Sequence, residues 1–301
     1  MVRGYTEGES NRTALPLLVG VTMTSKSDFP SLSPTRLQSW LYCGMQYKFQ
    51  YVDGHEEKPK KANAFGTIGH YILEQNTGEL FKQGINSEFD ALFYRKLNEL
   101  KELGLEVEED EVLTMRTEMG EIIFRFLKEQ NFRQMEIVER EQTLEISFMG
   151  HIFEGTVDAL VRFPTTPKDY VEIVDYKFGK RLQADSQLDR NIQQGLYYIA
   201  ARNAGYKVHR NWWIHMRHFQ PYKQAYRGKK KGDLRGVGFI PIAITDKDIP
   251  TVYNLAGPII KAIEHEIFPP NSYGDACKNC QFTHLCPRYE TGRDVKEEWV
   301  L

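Results

Sequence analysis

Long apolar runs are missing from this chain, and no stretch approaches the roughly 18 consecutive apolar residues a membrane-spanning helix needs. The best candidate, Ala14 to Val21, is short and contains Pro16. No basic segment precedes it and no A-x-A site follows it, which argues against a secretory signal and a membrane partner. Charge of one sign is not in excess either: 39 Lys and Arg stand against 41 Asp and Glu, for a formal net charge of −2. Any grip on a polyanion must therefore come from a local cluster of cations. Internal repeats and low-complexity tracts are lacking. So is the G-x4-G-K-[ST] phosphate loop, which excludes a nucleotide-driven motor within the chain itself. What remains is ordinary for a globular protein, with 41% hydrophobic and 27% charged residues; wholesale disorder and collagenous structure are excluded. At 301 residues the chain is near the upper size of one hydrophobic core, either a single core with elaborations or two domains.

Cysteine is scarce but organised. Cys43 stands alone near the N-terminus, whereas Cys277, Cys280 and Cys286 form a C-x2-C-x5-C cluster near the C-terminus. Disulfides fit poorly, because adjacent C-x-x-C thiols suit metal or redox chemistry and the expected compartment is the reducing cytoplasm. A shared four-thiolate centre is the expectation; Zn²⁺ and an iron–sulfur cluster both accept four thiolates, and spacing does not choose between them. Such a centre would tie the first helix to the tail and restrict the unfolded chain.

Residues 1–30 are polar and weakly patterned, as in an arm that is partly disordered. Ser33 and Pro34 suit the N-cap and first position of a helix, in which Leu37, Trp40, Leu41, Met45 and Phe49 recur at helical spacing and Cys43 is included. A helix is expected from about Thr67 to Leu80, carrying His70 and Glu74. Two more, over about 86–103 and 109–131, have charged periodic faces and read as a surface insert. Strands follow over 136–148, 151–163 and 169–178, separated by turn signals at Met149-Gly150 and Pro164 to Pro167. Next come a helix over about 188–204, a strand through Trp212 to Ile214, a basic loop, a strand near 237–244 and a helix over about 246–266. This order predicts a mixed α/β core with a helical lobe.

The chemistry concentrates on the strands. Asp158 lies in Gly155-Thr156-Val157-Asp158, and Asp175 and Lys177 lie in Val174-Asp175-Tyr176-Lys177. Positions i and i+2 of a strand face one side, so Asp175 and Lys177 project together. An Asp among apolar neighbours needs a cation, and a divalent metal bridging Asp158 and Asp175 would supply it; a structural Asp–Lys pair at a strand end is the plainer alternative. His70 alone reads as a packed residue as readily as a ligand. Glu74 stands one turn later, as a partner of the imidazole or a solvated side chain. Gln193 and Tyr197 share a helix face, as do Gln194 and Tyr198 one residue on.

Taken in order, His, G-x-x-D, D-x-K and Q-x3-Y, flanked by one cysteine before and three after, resemble the RecB-like, iron–sulfur exonuclease branch of the PD-(D/E)XK nucleases. This branch includes CRISPR-associated RecB-like exonucleases and AddB-type nuclease domains. The likeness runs from Leu32 to about Tyr289. It includes Leu32-Ser33-Pro34-Thr35-Arg36-Leu37, Gly66-Thr67-Ile68-Gly69-His70, Val174-Asp175-Tyr176-Lys177 and Phe268-Pro269-Pro270-Asn271. The resemblance implies a restriction-endonuclease-like mixed sheet flanked by helices, forming one nuclease domain over 31–289. That domain would have a helical insert at about 80–135 and a cluster-binding tail at about 268–289, with residues 290–301 as a C-terminal tail. It implies a Mg²⁺- or Mn²⁺-dependent deoxyribonuclease, end-acting and favouring single strands. His70, Asp158, Asp175 and the Tyr176 carbonyl would be its metal ligands, Asp158, Asp175 and Lys177 its catalytic set, and Gln193 and Tyr197 its support at the DNA end. It also implies a [4Fe–4S] cluster rather than Zn²⁺ on Cys43, Cys277, Cys280 and Cys286.

A basic loop holds Lys223, Arg227, Lys229, Lys230, Lys231 and Arg235, interleaved with Tyr222 and Tyr226. It is either a DNA phosphate grip or a solvated hairpin. Competing functions are a non-catalytic DNA-binding scaffold, and an endonuclease or end-trimming subunit beside a helicase or a recombination or CRISPR-adaptation partner.

Overall fold

A computed structural model of the protein describes residues 32–75, 87–129, 134–179, 191–220, 238–271, 276–277 and 280–287. The expected N-terminal arm, the basic loop with Lys223, Arg227, Lys229, Lys230, Lys231 and Arg235, and the C-terminal tail lie outside the described residues.

Helix α1 spans Pro34–Tyr42, with the Ser33 hydroxyl accepting from the Arg36 N–H at 3.1 Å and Pro34 in the first turn. Contrary to the expectation of one helix through Cys43, the chain breaks there: Cys43 is extended, with φ −164° and ψ 115°. A short helix, α2 (Gly44–Tyr47), and a π turn (Lys48–Val52) follow. Periodicity across 37–49 missed the break because residues on both sides are apolar, although Leu41 is in fact exposed.

Helix α3 runs Lys61–Gln75, so it begins six residues before the expected Thr67. Gly66, just outside the expected helix, and Gly69 both sit inside it. Glycine costs a helix interior about 1 kcal/mol relative to alanine, and at Gly69 close packing offsets this: a Cβ there would lie 2.4 Å from the Phe178 ring. Helices α4 (Ser87–Glu102) and α5 (Glu109–Lys128) match expectation in place, but they are no surface appendage. Phe89, Phe93 and Phe126 are fully buried, and these helices cover one face of the sheet with α3.

Strands β1 (Glu136–Phe148), β2 (His151–Arg162) and β3 (Tyr170–Lys177) form an antiparallel run. The β1–β2 turn puts both Met149 (φ 52°) and Gly150 (φ 81°) in the left-handed region, the conformation a two-residue hairpin favours. Helix α6 (Ile192–Asn203) precedes β4 (Lys207–His215), which lies parallel to β3. Strand β5 (Phe239–Ile242) closes the edge antiparallel, and helix α7 (Ile249–Glu264) follows. The sheet order is β1-β2-β3-β4-β5. One core lies between the sheet and α1, α6 and α7; the other lies under α3, α4 and α5. Strand β3 is buried on both faces, the pattern of a central strand. No helix among the described residues is long and apolar enough to cross a membrane.

Candidate active site

The site forms where the end of β3 meets β1, β2, α3 and α6. As the i, i+2 rule requires, Asp175 and Lys177 project together: Asp175 is buried, and its Oδ2 lies 2.6 Å from Lys177 Nζ. Lys177 also donates to Gln193 Oε1 at 3.1 Å, and Gln193 Nε2 donates to the Tyr197 hydroxyl at 3.0 Å. This resolves the two helix registers. Gln194 instead accepts from Asn211 at 3.1 Å, and Tyr198 donates to Asp246 at 2.8 Å, both away from the lysine.

From the opposite side, α3 delivers His70, whose Nδ1 lies 3.4 Å from Asp158 Oδ1. The other carboxylate oxygen of Asp158 accepts the Tyr176 N–H at 2.5 Å, which fixes β2 against β3. The His70 ring packs against Phe178, with centroids 5.4 Å apart. Glu74 is exposed and lines the same cleft.

Sequence reasoning missed Glu141. Arg140 lies opposite Ala159 and Gln142 opposite Val157, which puts Glu141 across from Asp158. Glu141 has φ 44°, and the pleat is interrupted here: Val157 faces one core and Ala159 the other, although two residues apart. Such irregularities re-aim side chains beside active sites. One ligand atom each of His70, Glu141 and Asp158 lies within 4.8 Å of the other two, a set able to hold a metal ion. On β1 itself Glu139, Glu141 and Glu145 alternate alike, so only the pairing singles out Glu141.

The electrostatics show a site short of positive charge. Burial raises the Asp175 carboxyl well above the usual range, and although Lys177 opposes this, Asp158 adds to it. Burial, then the charge of Asp158, lifts Glu141 to about 7. At His70 burial disfavours the cation, but the Asp158 carboxylate outweighs it and the pKa rises. A divalent cation would relieve all three.

The four cysteines, none of them in a disulfide, line one cavity with Met45, Phe49, Pro270 and Asn271. The extended Cys43 brings its sulfur to the Asn271 N–H, at 3.4 Å, and Cys277 Sγ lies 3.7 Å from the Asn271 carbonyl oxygen. Gly44 permits this approach, since a Cβ there would lie 2.8 Å from Pro269.

The model of the PD-(D/E)XK nuclease superfamily matches residues 31–287, which include both sites. The chain belongs to the PD-(D/E)XK nuclease superfamily. Its mixed five-stranded sheet flanked by helices is that fold. A solved structure from Eubacterium rectale, described as a "Putative exonuclease", aligns at TM-score 0.52 and 15% identity, covering 86% of this chain and 93% of that one. It shares the fold of this PD-(D/E)XK protein. The structure of SSO0001 aligns at TM-score 0.33 and 13% identity, over 84% of this chain and 95% of that one. No curated protein matches the sequence.

Proposed function

We propose that this PD-(D/E)XK protein is a Mg²⁺- or Mn²⁺-dependent deoxyribonuclease that hydrolyses phosphodiester bonds at DNA ends, favouring single strands. The observation that carries this reading is the convergence of His70, Glu141 and Asp158 within reach of one ion, with the Asp175–Lys177 pair on the adjacent strand. These three and Asp175 would hold the cation, together with the Tyr176 carbonyl that the family resemblance adds. One imidazole among oxygen ligands makes Mn²⁺ competitive with Mg²⁺. When bound, the cation supplies Lewis-acid polarisation of a phosphoryl oxygen. The Lys177 ammonium brings positive charge to a phosphoryl group that gains negative charge in the transition state. Asp175 and Gln193 hold that ammonium in place, and Tyr197 holds Gln193. The cleft above them, of about 630 Å³, falls in the range that accepts a nucleotide-sized ligand. Action at ends draws its support from the family resemblance and from the description of the Eubacterium rectale protein. Strand separation would require a helicase partner, since the chain has no phosphate loop.

The cysteine cavity belongs to the same proposal, as the seat of a structural [4Fe–4S] cluster. Its support is that Cys43, Cys277, Cys280 and Cys286, the first far from the others in the chain, line one cavity; the preference for iron–sulfur over Zn²⁺ comes from the family resemblance.

End-labelled linear single strands in Mn²⁺, beside circular single strands, test the activity. Wild type digests the linear strand and spares the circle, and Lys177→Ala slows digestion about 10²–10³-fold. Equal cutting of circles would replace the exonuclease with an endonuclease. Binding without cleavage, unchanged by Lys177→Ala, would point to a scaffold.

A further inference from the structure

We infer that Lys96 of helix α4, backed by Arg95 and Tyr71, grips the phosphate adjoining the one that is cut, so that the substrate is a polynucleotide strand held through its backbone. This deepens the nuclease reading and rests on it. Lys96 lines the same cleft as His70 and Lys177 although it comes from a different helix. Among the described residues lining that cleft, these two lysines are the cations, while Glu74 and Glu141 are acids that repel a phosphate chain. Lys177 is engaged by Asp175 and Gln193 beside the metal ligands. Lys96 is therefore the cation placed to meet a second phosphate.

Its neighbours hold it at the wall. Tyr71 follows His70 directly, and Lys96 Nζ stands 5.3 Å from the centre of the Tyr71 ring. Arg95 Nη1 donates to the Tyr71 hydroxyl at 3.4 Å, which steadies the ring and adds a second positive group. The competing contact is Lys96 with Glu99, at 2.7 Å, with the two side chains 26% and 47% exposed. An exposed i, i+3 pair of this kind is weak, and a phosphate can displace the carboxylate. Contacts of this sort carry no base identity, so the grip is independent of sequence.

Fluorescence anisotropy of a labelled single-stranded oligonucleotide tests this, with Ca²⁺ in place of Mn²⁺ to suppress turnover and salt varied throughout. Lys96→Ala is expected to bind about fivefold more weakly. Its log–log salt dependence is expected to be shallower by about 0.7, the value for one phosphate contact on a single strand. Lys96→Arg restores both, and Glu99→Gln, which frees the lysine, tightens binding. Affinity and salt slope equal to wild type in Lys96→Ala, with the strand still cut by wild type in Mn²⁺, overturn this inference alone. Wild type that binds the strand but never cuts it overturns the nuclease reading and this one with it.

Discussion

On the proposed reading, protons and a divalent cation compete for the same three side chains. Glu141 and Asp175 have pKa values raised by burial and by neighbouring carboxylates, and that of His70 is raised by Asp158 against its burial. Each binds its proton more tightly folded than unfolded, so the stability they contribute is present at low pH and is lost as pH rises through their folded values. For Glu141 that window runs from its ordinary 4.5 to about 7. The metal-free protein should therefore lose this increment across the window, and Mn²⁺ should restore it. Thermal melts with and without Mn²⁺ check this: the stabilisation by Mn²⁺ should grow from pH 5 to pH 7.5. A shift that is the same at both ends would mean these groups do not hold the cation.

Helix α3 meets Phe178, the residue after β3, through Gly69, and the same ring packs against His70. A methyl group at position 69 would press on the Phe178 ring, which is buried and packed against Phe65 and His70. Overpacking of this kind costs about 1–3 kcal/mol. Gly69→Ala should lower stability by that amount in a denaturant titration and weaken Mn²⁺ binding in calorimetry, because the displaced ring pushes on the imidazole. Normal Mn²⁺ affinity in a destabilised variant would show that Phe178 does not position His70. The break at Cys43 works similarly: the helix ends where the sulfur must turn toward Asn271, so helical periodicity there is overridden by a long-range contact.

Beside a third, smaller apolar cluster of Phe49, Phe282 and Cys286, the first helix and the C-terminal segment are joined through the cysteine cavity. Trp40 Nε1 donates to the Ile267 carbonyl at 3.2 Å, and Asn271 Nδ2 donates to the Tyr42 carbonyl at 2.7 Å. A cluster on the four thiolates would close a loop spanning most of the chain, and its loss would return that freedom to the unfolded state. Purified protein is expected to be brown, with iron and acid-labile sulfide. Cys43→Ser is expected to be colourless and to melt at a lower temperature. Zinc in place of iron, or a Cys43→Ser protein as stable as wild type, would remove the cluster from the account.

Local chemistry made much of this molecule legible. The Ser33–Pro34 start, the three consecutive strands and the shared face of Asp175 and Lys177 follow from caps, turn signals and side-chain period, which act over a few residues. The ordered motifs also implied His70, Asp158, Gln193 and Tyr197 together, and folding places Asp158 beside His70 and Gln193 between Lys177 and Tyr197. Glu141 was illegible because it is one of several alternating acids on β1, and its place beside His70 and Asp158 depends on pairing with β2 and on a locally interrupted pleat. The true start of α3 and the burial of α4 and α5 were hidden for the same reason: glycines and charged helix faces acquire their meaning from what packs on them. Residue type supplied the chemistry of the site, whereas the approach of strands and helices distant in the chain selected which of several equivalent side chains share it.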